Sequence, residues 1–258
     1  MTARYESKNA RHLLNKTIKV IRKDWKQFLR IVFRYTMLVF DRLFGFFAHH
    51  FRRKKIFLFL GREYKYFYHW YNQTWSNERS VEIPIFYSIL LENRHKNILE
   101  VGNVMSHYFT VDYDILDKYD GVHSVIKCDV VEYHPDFKYD LIISISTLEH
   151  VGRDETPFDP AKSLQAIAHL HSLLKPNGRL IFSIPVGYNE VLDSALFSNS
   201  LPGIPVHAIH AMHRVSRHNY WEETSLEKVR GYRYGHPYNA ANAILIVDIT
   251  KTDTNHKP

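Results

Sequence analysis

The chain is nearly without cysteine. Of its 258 residues only Cys128 carries a thiol, so no intrachain disulfide can form, and a lone cysteine in a chain this long fits a reducing compartment. Long hydrophobic runs are also missing. The most apolar stretch, residues 25–51, is interrupted by Arg30, Arg34, Asp41 and Arg42, whereas a spanning helix needs ~18 or more consecutive apolar residues. That argues against a transmembrane segment. The stretch starts late and no small-residue cleavage site follows it, which argues against a secretory signal. Acidic residues are scarce at one end. Residues 1–62 hold 16 Lys and Arg against 3 Asp and Glu, a net of +13, while the remainder holds 18 against 24, a net of −6. The whole chain is +7 only because of this arm, and such asymmetry suggests an anionic partner for it.

Within the arm, Gln27, Arg30, Arg34, Asp41, Gly45, His49 and Arg52 recur at steps of three, four or seven. That is the polar stripe of an amphipathic helix with a wide apolar face. Basic residues beside Phe and Trp suit a helix lying in a membrane interface. The cluster Arg52-Arg53-Lys54-Lys55 would add about 1 kcal/mol per charge near anionic lipid. The expectation is a cytoplasmic protein, peripheral on the inner face of a membrane. The competing readings pack the apolar face on the body or on a second copy of the chain, as a homodimer. Nucleic acid is disfavoured, because no nucleic-acid-binding motif is present.

The arm is taken as 1–62, and a linking segment as 63–96. The link is crowded with Tyr64, Tyr66, Phe67, Tyr68, Trp70 and Tyr71, a wall for a sugar or ring, or a structural cluster under a lid. Ser80 or Asn77 caps a helix running to about Asn93, with Val81, Ile85, Ile89 and Leu90 facing inward.

From Asn97 the pattern becomes alternating α/β. Asn97-Ile98-Leu99-Glu100-Val101, Asp114-Ile115-Leu116-Asp117, Ser124 to Asp129, and Tyr139 to Ile145 read as strands. A helix opens at Asp159-Pro160, carries Leu164, Ile167, Ala168, Leu170, Leu173 and Leu174, and is stopped by Lys175-Pro176-Asn177-Gly178. Strands at Arg179 to Pro185 and Ala243 to Ile249 follow. Continuous apolar strands between helices predict an α/β domain over 97–251. Its mostly parallel, doubly wound Rossmann-like sheet has helices on both faces, with a disordered tail at 252–258. Ligands of such sheets sit at the carboxyl ends of the strands.

Three pieces in order carry a family resemblance. Ile98-Leu99-Glu100-Val101-Gly102 resembles the first motif of class I S-adenosylmethionine-dependent methyltransferases. Tyr139 to Ser144 with Thr147-Leu148-Glu149-His150-Val151 resembles their fourth-strand motif. Leu173-Leu174-Lys175-Pro176-Asn177-Gly178-Arg179-Leu180 resembles the turn before their fifth strand. The resemblance implies S-adenosylmethionine as cofactor. Glu100, Gly102 and Asn103 would hold its methionyl part. Asp117 would bond the ribose hydroxyls, with Asp112 and Asp114 as rivals. Asp129 would meet the adenine amino group with Val130 beside the ring, and Ser146, Thr147 and Leu148 would line the site. Glu149 and His150 would face the acceptor, His150 as base or positioner and Glu149 as its partner. For Asp117 and Asp129 the competing role is capping the next helix, and for His150 a backbone hydrogen bond.

One departure stands out. The family's glycines at alternate positions would fall at 102, 104 and 106, where this chain has Gly102, Val104 and Ser106. Val resists positive φ and close backbone approach, so either the turn takes another path or the cofactor site is altered. His207, His210 and His213, three apart, offer metal-ligand spacing, but no acidic residue lies among them and no metal is expected. The function these observations favour is methyl transfer to a hydroxyl or amine of a polar small-molecule or glycan-like acceptor. The alternative is a non-catalytic Rossmann-like module recruited to a membrane or partner by its arm.

Overall fold

The computed structural model describes residues 55–121 and 124–252. The helix expected at 25–51 and the tail beyond 252 lie outside the described residues. The described chain opens as a β-hairpin, β1 (Ile56–Phe59) and β2 (Arg62–Lys65). Its two-residue turn, Leu60-Gly61, has positive φ at both positions, the mirror-image turn that matches strand twist. The expected arm boundary at 62 therefore falls inside a strand. Period-two burial decides it, with Phe57 and Phe59 inward and Ile56 and Leu58 outward.

Helix α1 (Arg79–Asn93) ends where the sequence places it. It starts on Asn77, whose side-chain oxygen accepts from the Arg79 amide at 3.1 Å. Then come β3 (Ile98–Val101), β4 (Asp114–Leu116), β5 (Val125–Ile126), β6 (Tyr139–Ile145), α2 (Lys162–Ser172) and β7 (Leu174–Pro185). After α3 (Glu190–Phe197) come β8 (Ala208–Arg214), β9 (Trp221–Thr224), α4 (Leu226–Val229) and β10 (Ala243–Thr250). The third strand is only two residues long, shorter than the 124–129 expected. Helix α2 begins two residues after Pro160, with Asp159 accepting from the Ala161 amide at 3.1 Å. At the turn into β7 the left-handed residue is Asn177, φ 61°, rather than Gly178.

The eight-stranded sheet has the order β5-β4-β3-β6-β7-β10-β8-β9. Strands β5, β4, β3, β6 and β7 pair in parallel, and β10 pairs antiparallel with both β7 and β8. This is the doubly wound Rossmann-like arrangement read from the sequence. Alternate strand residues feed two cores. Leu141, Ile143, Ile145, Ile244 and Ile246 join Val81, Ile83, Ile85 and Phe86 of α1 on one face. Ile142, Leu180, Phe182, Leu245 and Val247 join Ala166, Ile167 and Leu170 of α2 and Leu192 and Leu196 of α3 on the other. Burial on both faces is why these strands are apolar without alternation. The strand order reverses between β3 and β6, which makes their carboxyl ends the switch point where a ligand is expected.

Candidate functional site

A cavity of about 230 Å³ opens at the carboxyl ends of β3, β4, β5 and β6. Its walls include Val101, Leu116, Val130 and Val151, and its polar rim includes Asp117, Asp129 and His150. Gly102 forms the floor with φ +86°. A Cβ there would lie 2.2 Å from Thr147 Oγ1 and 2.8 Å from Thr147 Cβ. Thr147 thus occupies the space a side chain at 102 would need, and the two loop ends close on each other.

The missing glycines are explained by the path of the turn. Val104 has φ −108°, and residues Met105–His107 make a single 3-10 turn. The Val104 side chain packs in the α1-side core. Glu100 organises this path: Oε1 accepts from the Val104 and Met105 amides at 3.0 and 2.8 Å, and Oε2 from the Tyr113 hydroxyl at 3.0 Å. Burial pushes its carboxyl up to about 7 even so. Glu100 is fully buried and does not line the cavity. It supports the turn from behind, because its strand-end carboxyl is the nearest acceptor for amides that no helix satisfies. Asn103 is likewise set back: its amide donates to Asp117 and its side-chain nitrogen to Asp120.

Asp117 lines the cavity and also caps the chain after β4. Oδ1 accepts from the Tyr119 and Asp120 amides at 2.8 and 2.9 Å, and Oδ2 from the Asn103 amide at 3.1 Å. A carboxylate has about four acceptor sites, so Oδ2 keeps one for a ligand. Asp129 lines the same cavity within an ion-pair cluster the sequence did not suggest. Lys118 and Lys162 donate to its Oδ2 at 2.8 and 2.5 Å and to Glu155 at 2.9 and 2.7 Å. Burial works against the charged Asp129, but the two lysines outweigh it and hold the carboxyl down at about 2. Its Oδ1 accepts only from the Val131 amide, at 3.2 Å.

Leu148 is fully buried in the α2-side core and does not reach the cavity, because the one-turn helix Leu148–His150 points it inward. Ser146 holds the left-handed conformation, φ 37°, uncommon for a non-glycine residue and characteristic of functional turns. Its hydroxyl donates to Glu82 at 2.6 Å, so it faces a second cavity rather than the first.

That second cavity, about 280 Å³, shares His150 with the first. His150 Nδ1 lies 2.5 Å from Asp154 Oδ2, and Asp154 also accepts from the Tyr188 hydroxyl at 2.6 Å. Glu149 is not its close partner: the nearest approach, His150 Nε2 to Glu149 Oε1, is 3.5 Å, beyond hydrogen-bonding range. Spacing of four along the turn brings Asp154 beside His150, while Glu149 turns inward and is 1% exposed. Neither Glu149 oxygen has a hydrogen-bond partner among the described residues. Burial raises its carboxyl well above the ordinary range. Its backbone is held by buried Asn189, which donates to Glu149 O at 3.1 Å while capping α3.

Three further groups behind this cavity were not singled out from sequence. Arg79 is paired with Glu82 at 2.6 Å and donates to Ser146 O at 3.3 Å. Glu78 accepts from the Ala241 amide at 3.1 Å, and burial followed by repulsion from Glu82 raises its carboxyl. Glu78 stands one residue before α1 and Glu82 in its first turn, beside the buried Val81, Ile83 and Ile85. Acids inside an apolar run were the available signal. Within the aromatic link Tyr66 is buried and its hydroxyl accepts from the Trp221 amide at 2.8 Å, while Trp70 and Tyr71 are exposed. His210 and His213 are three apart on β8, so they point to opposite faces of the strand. His210 meets Phe59 and His213 meets Tyr232.

No protein-family model matches this chain, and no curated protein matches it. Among solved structures it is similar to the N-methyltransferase NodS from Bradyrhizobium japonicum WM9 in complex with S-adenosyl-L-homocysteine. The identity is 12% over 65% of this chain and 85% of that one, with a TM-score of 0.42. It is also similar to the 1,6-didemethyltoxoflavin-N1-methyltransferase of Burkholderia thailandensis, at 16% identity over 64% and 76% of the two chains, TM-score 0.39. A third is the magnesium protoporphyrin IX methyltransferase of Synechocystis PCC 6803, at 12% identity over 65% and 78%, TM-score 0.36. These are likenesses of fold.

Proposed function

We propose that this chain is an S-adenosylmethionine-dependent methyltransferase acting on a hydroxyl or amine of a glycan-like or other polar acceptor. The observation that carries the reading is the cavity at the switch point, where Gly102 meets Thr147 and Asp117 keeps an acceptor site free. The residues present fit the cofactor. Val101, Leu116, Val130 and Val151 offer an apolar slot for a flat ring. Asp117 would hold one ribose hydroxyl, Asp129 Oδ1 an exocyclic amine, and the close Gly102 backbone the methionyl end. S-adenosylmethionine, when bound, supplies an electrophilic methyl group on sulfonium sulfur. His150 stands between the two cavities. With Nδ1–H donating to Asp154, its Nε2 lone pair is free to take a proton from an acceptor in the second cavity. His150→Ala is expected to lower turnover by roughly two to four orders of magnitude with cofactor affinity within about twofold of wild type. Near-normal turnover would leave acceptor positioning as the whole mechanism.

The commitment of Asp129 to two lysines favours the alternative, a Rossmann-like module without catalysis, and cofactor binding separates the two. The arm completes the proposal as a peripheral anchor on anionic lipid, at the inner face of the membrane in the cytoplasm. Its support is the net charge of +13 over residues 1–62. No helix among the described residues is long and apolar enough to cross a membrane. Full-length protein is expected to sediment with phosphatidylserine-containing vesicles and to release as salt rises past roughly 0.1 M, where screening acts over about 10 Å. A stable dimer that ignores such vesicles would make the arm an oligomer interface instead.

A further inference from the structure

The second cavity has more carboxyl groups than its cations can match. Arg79 is the guanidinium there, and its close ion pair is with Glu82, whose other oxygen takes the Ser146 hydroxyl. Glu78 is left with one backbone amide, and Glu149, almost fully buried, has no hydrogen bond to either oxygen among the described residues. Both line the cavity. An isolated buried carboxyl is costly unless something satisfies it. The groups offered to a ligand are therefore mainly acceptors.

From this we infer that the acceptor bound in the second cavity is an organic amine, held as its ammonium form against Glu149 and Glu78. An ammonium has three donors and no acceptor. It also brings a second positive charge into direct contact with the two acids, where Arg79, ion-paired with Glu82, acts on them only from a distance. A hydroxyl brings no charge and would leave both acids uncompensated. A carboxylate or phosphate would add a like charge to the wall. Tyr188 and Tyr234, edge to face with centroids 5.0 Å apart, put aromatic surface on the same cavity, and ring faces attract cations. Once the ammonium is seated, one proton can pass to a Glu149 carboxylate oxygen, leaving a neutral amine and a neutral carboxylic acid, and His150 Nε2 is left to take the proton released once the nitrogen has been methylated. Burial, which favours the protonated form of Glu149, assists that transfer.

The inference rests on the methyltransferase reading for its meaning but is tested without turnover. Full-length protein saturated with S-adenosylhomocysteine is titrated calorimetrically with two matched pairs, 2-phenylethylamine against 2-phenylethanol and glucosamine against glucose. At least one amine should bind at least tenfold more tightly than its alcohol. Glu149→Gln, which keeps the shape and removes the charge, should bring that ratio to within about twofold. Glu78→Gln serves as the second variant if the first does not fold. Equal affinity for amine and alcohol in both pairs overturns the inference, as does a preference that survives the folded variants. Saturation with S-adenosylhomocysteine is measured first: its failure would sink the methyltransferase reading, and amine preference in its absence would leave the ammonium site standing alone.

Discussion

Replacing Gly102 with alanine should weaken cofactor binding strongly although it removes no hydrogen-bonding group. Two costs add. The left-handed backbone at φ +86° costs a non-glycine residue roughly 1–2 kcal/mol. The new Cβ would also fall 2.2–2.8 Å from three atoms of Thr147. One of these is Thr147 Cβ, which no rotamer change moves away. The chain ends of β3 and β6 must then separate, and the cavity floor with them. S-adenosylhomocysteine affinity should drop at least about 30-fold, the equivalent of some 2 kcal/mol. Gly102→Ala combined with Thr147→Gly should recover part of the loss, because only the φ cost remains. If Gly102→Ala alone binds like wild type, the Gly102–Thr147 contact does not shape the site.

Arg79→Met should be the most destabilising single change in the body of the protein. The side chain of Arg79 is 11% exposed and that of Glu82 is fully buried, and removing one partner of a buried pair costs about 3–5 kcal/mol. For a body of this size that is roughly 10 °C in melting temperature. The loss should depend on pH in a specific direction. Arg79 lowers the carboxyl pKa of both Glu78 and Glu149, which burial raises. Acids whose folded pKa is raised favour the fold while protonated and cost stability as pH rises through that pKa. Without Arg79 those pKa values rise further. The destabilisation should therefore be smaller near pH 5 than near pH 8, read by thermal melts in matched buffers. A loss under about 1 kcal/mol, insensitive to pH, would mean that Arg79 behaves as a surface ion pair.

The central strands were legible because burial on both faces writes a continuous apolar run: Tyr139–Ile145 is recovered to the residue. The strand-end acids Asp117 and Asp129 were legible as positions, since both line the cavity at the carboxyl ends of the strands, but their capping and ion-pair contacts stand beside that placement. What escaped is instructive. The hairpin turn is Leu60-Gly61, whose leucine in the left-handed region carries no turn signal. Strand β8 reads as a histidine repeat because His210 and His213 interrupt its apolar pattern. Glu100 was assigned to the cofactor because motif order says nothing about which way a strand-end side chain turns. Here the amides of Val104 and Met105 capture it. Asp154 was missed as the partner of His150 although its spacing of four was the available signal, and Glu149 comes no nearer than 3.5 Å because the turn after β6 points it inward. The second cavity joins α1 to loops more than 60 residues away, a juxtaposition no local pattern encodes.

The measurement that bears most directly on the account is calorimetric titration of the full-length protein with S-adenosylmethionine and S-adenosylhomocysteine, beside Asp117→Ala. The account predicts saturable binding of one ligand per chain. In the variant it should weaken by about 1.5–3 kcal/mol, the range for a hydrogen bond to a charged group, or roughly 10- to 150-fold. No detectable binding at millimolar ligand, or an Asp117→Ala protein that binds as tightly as wild type, would contradict it.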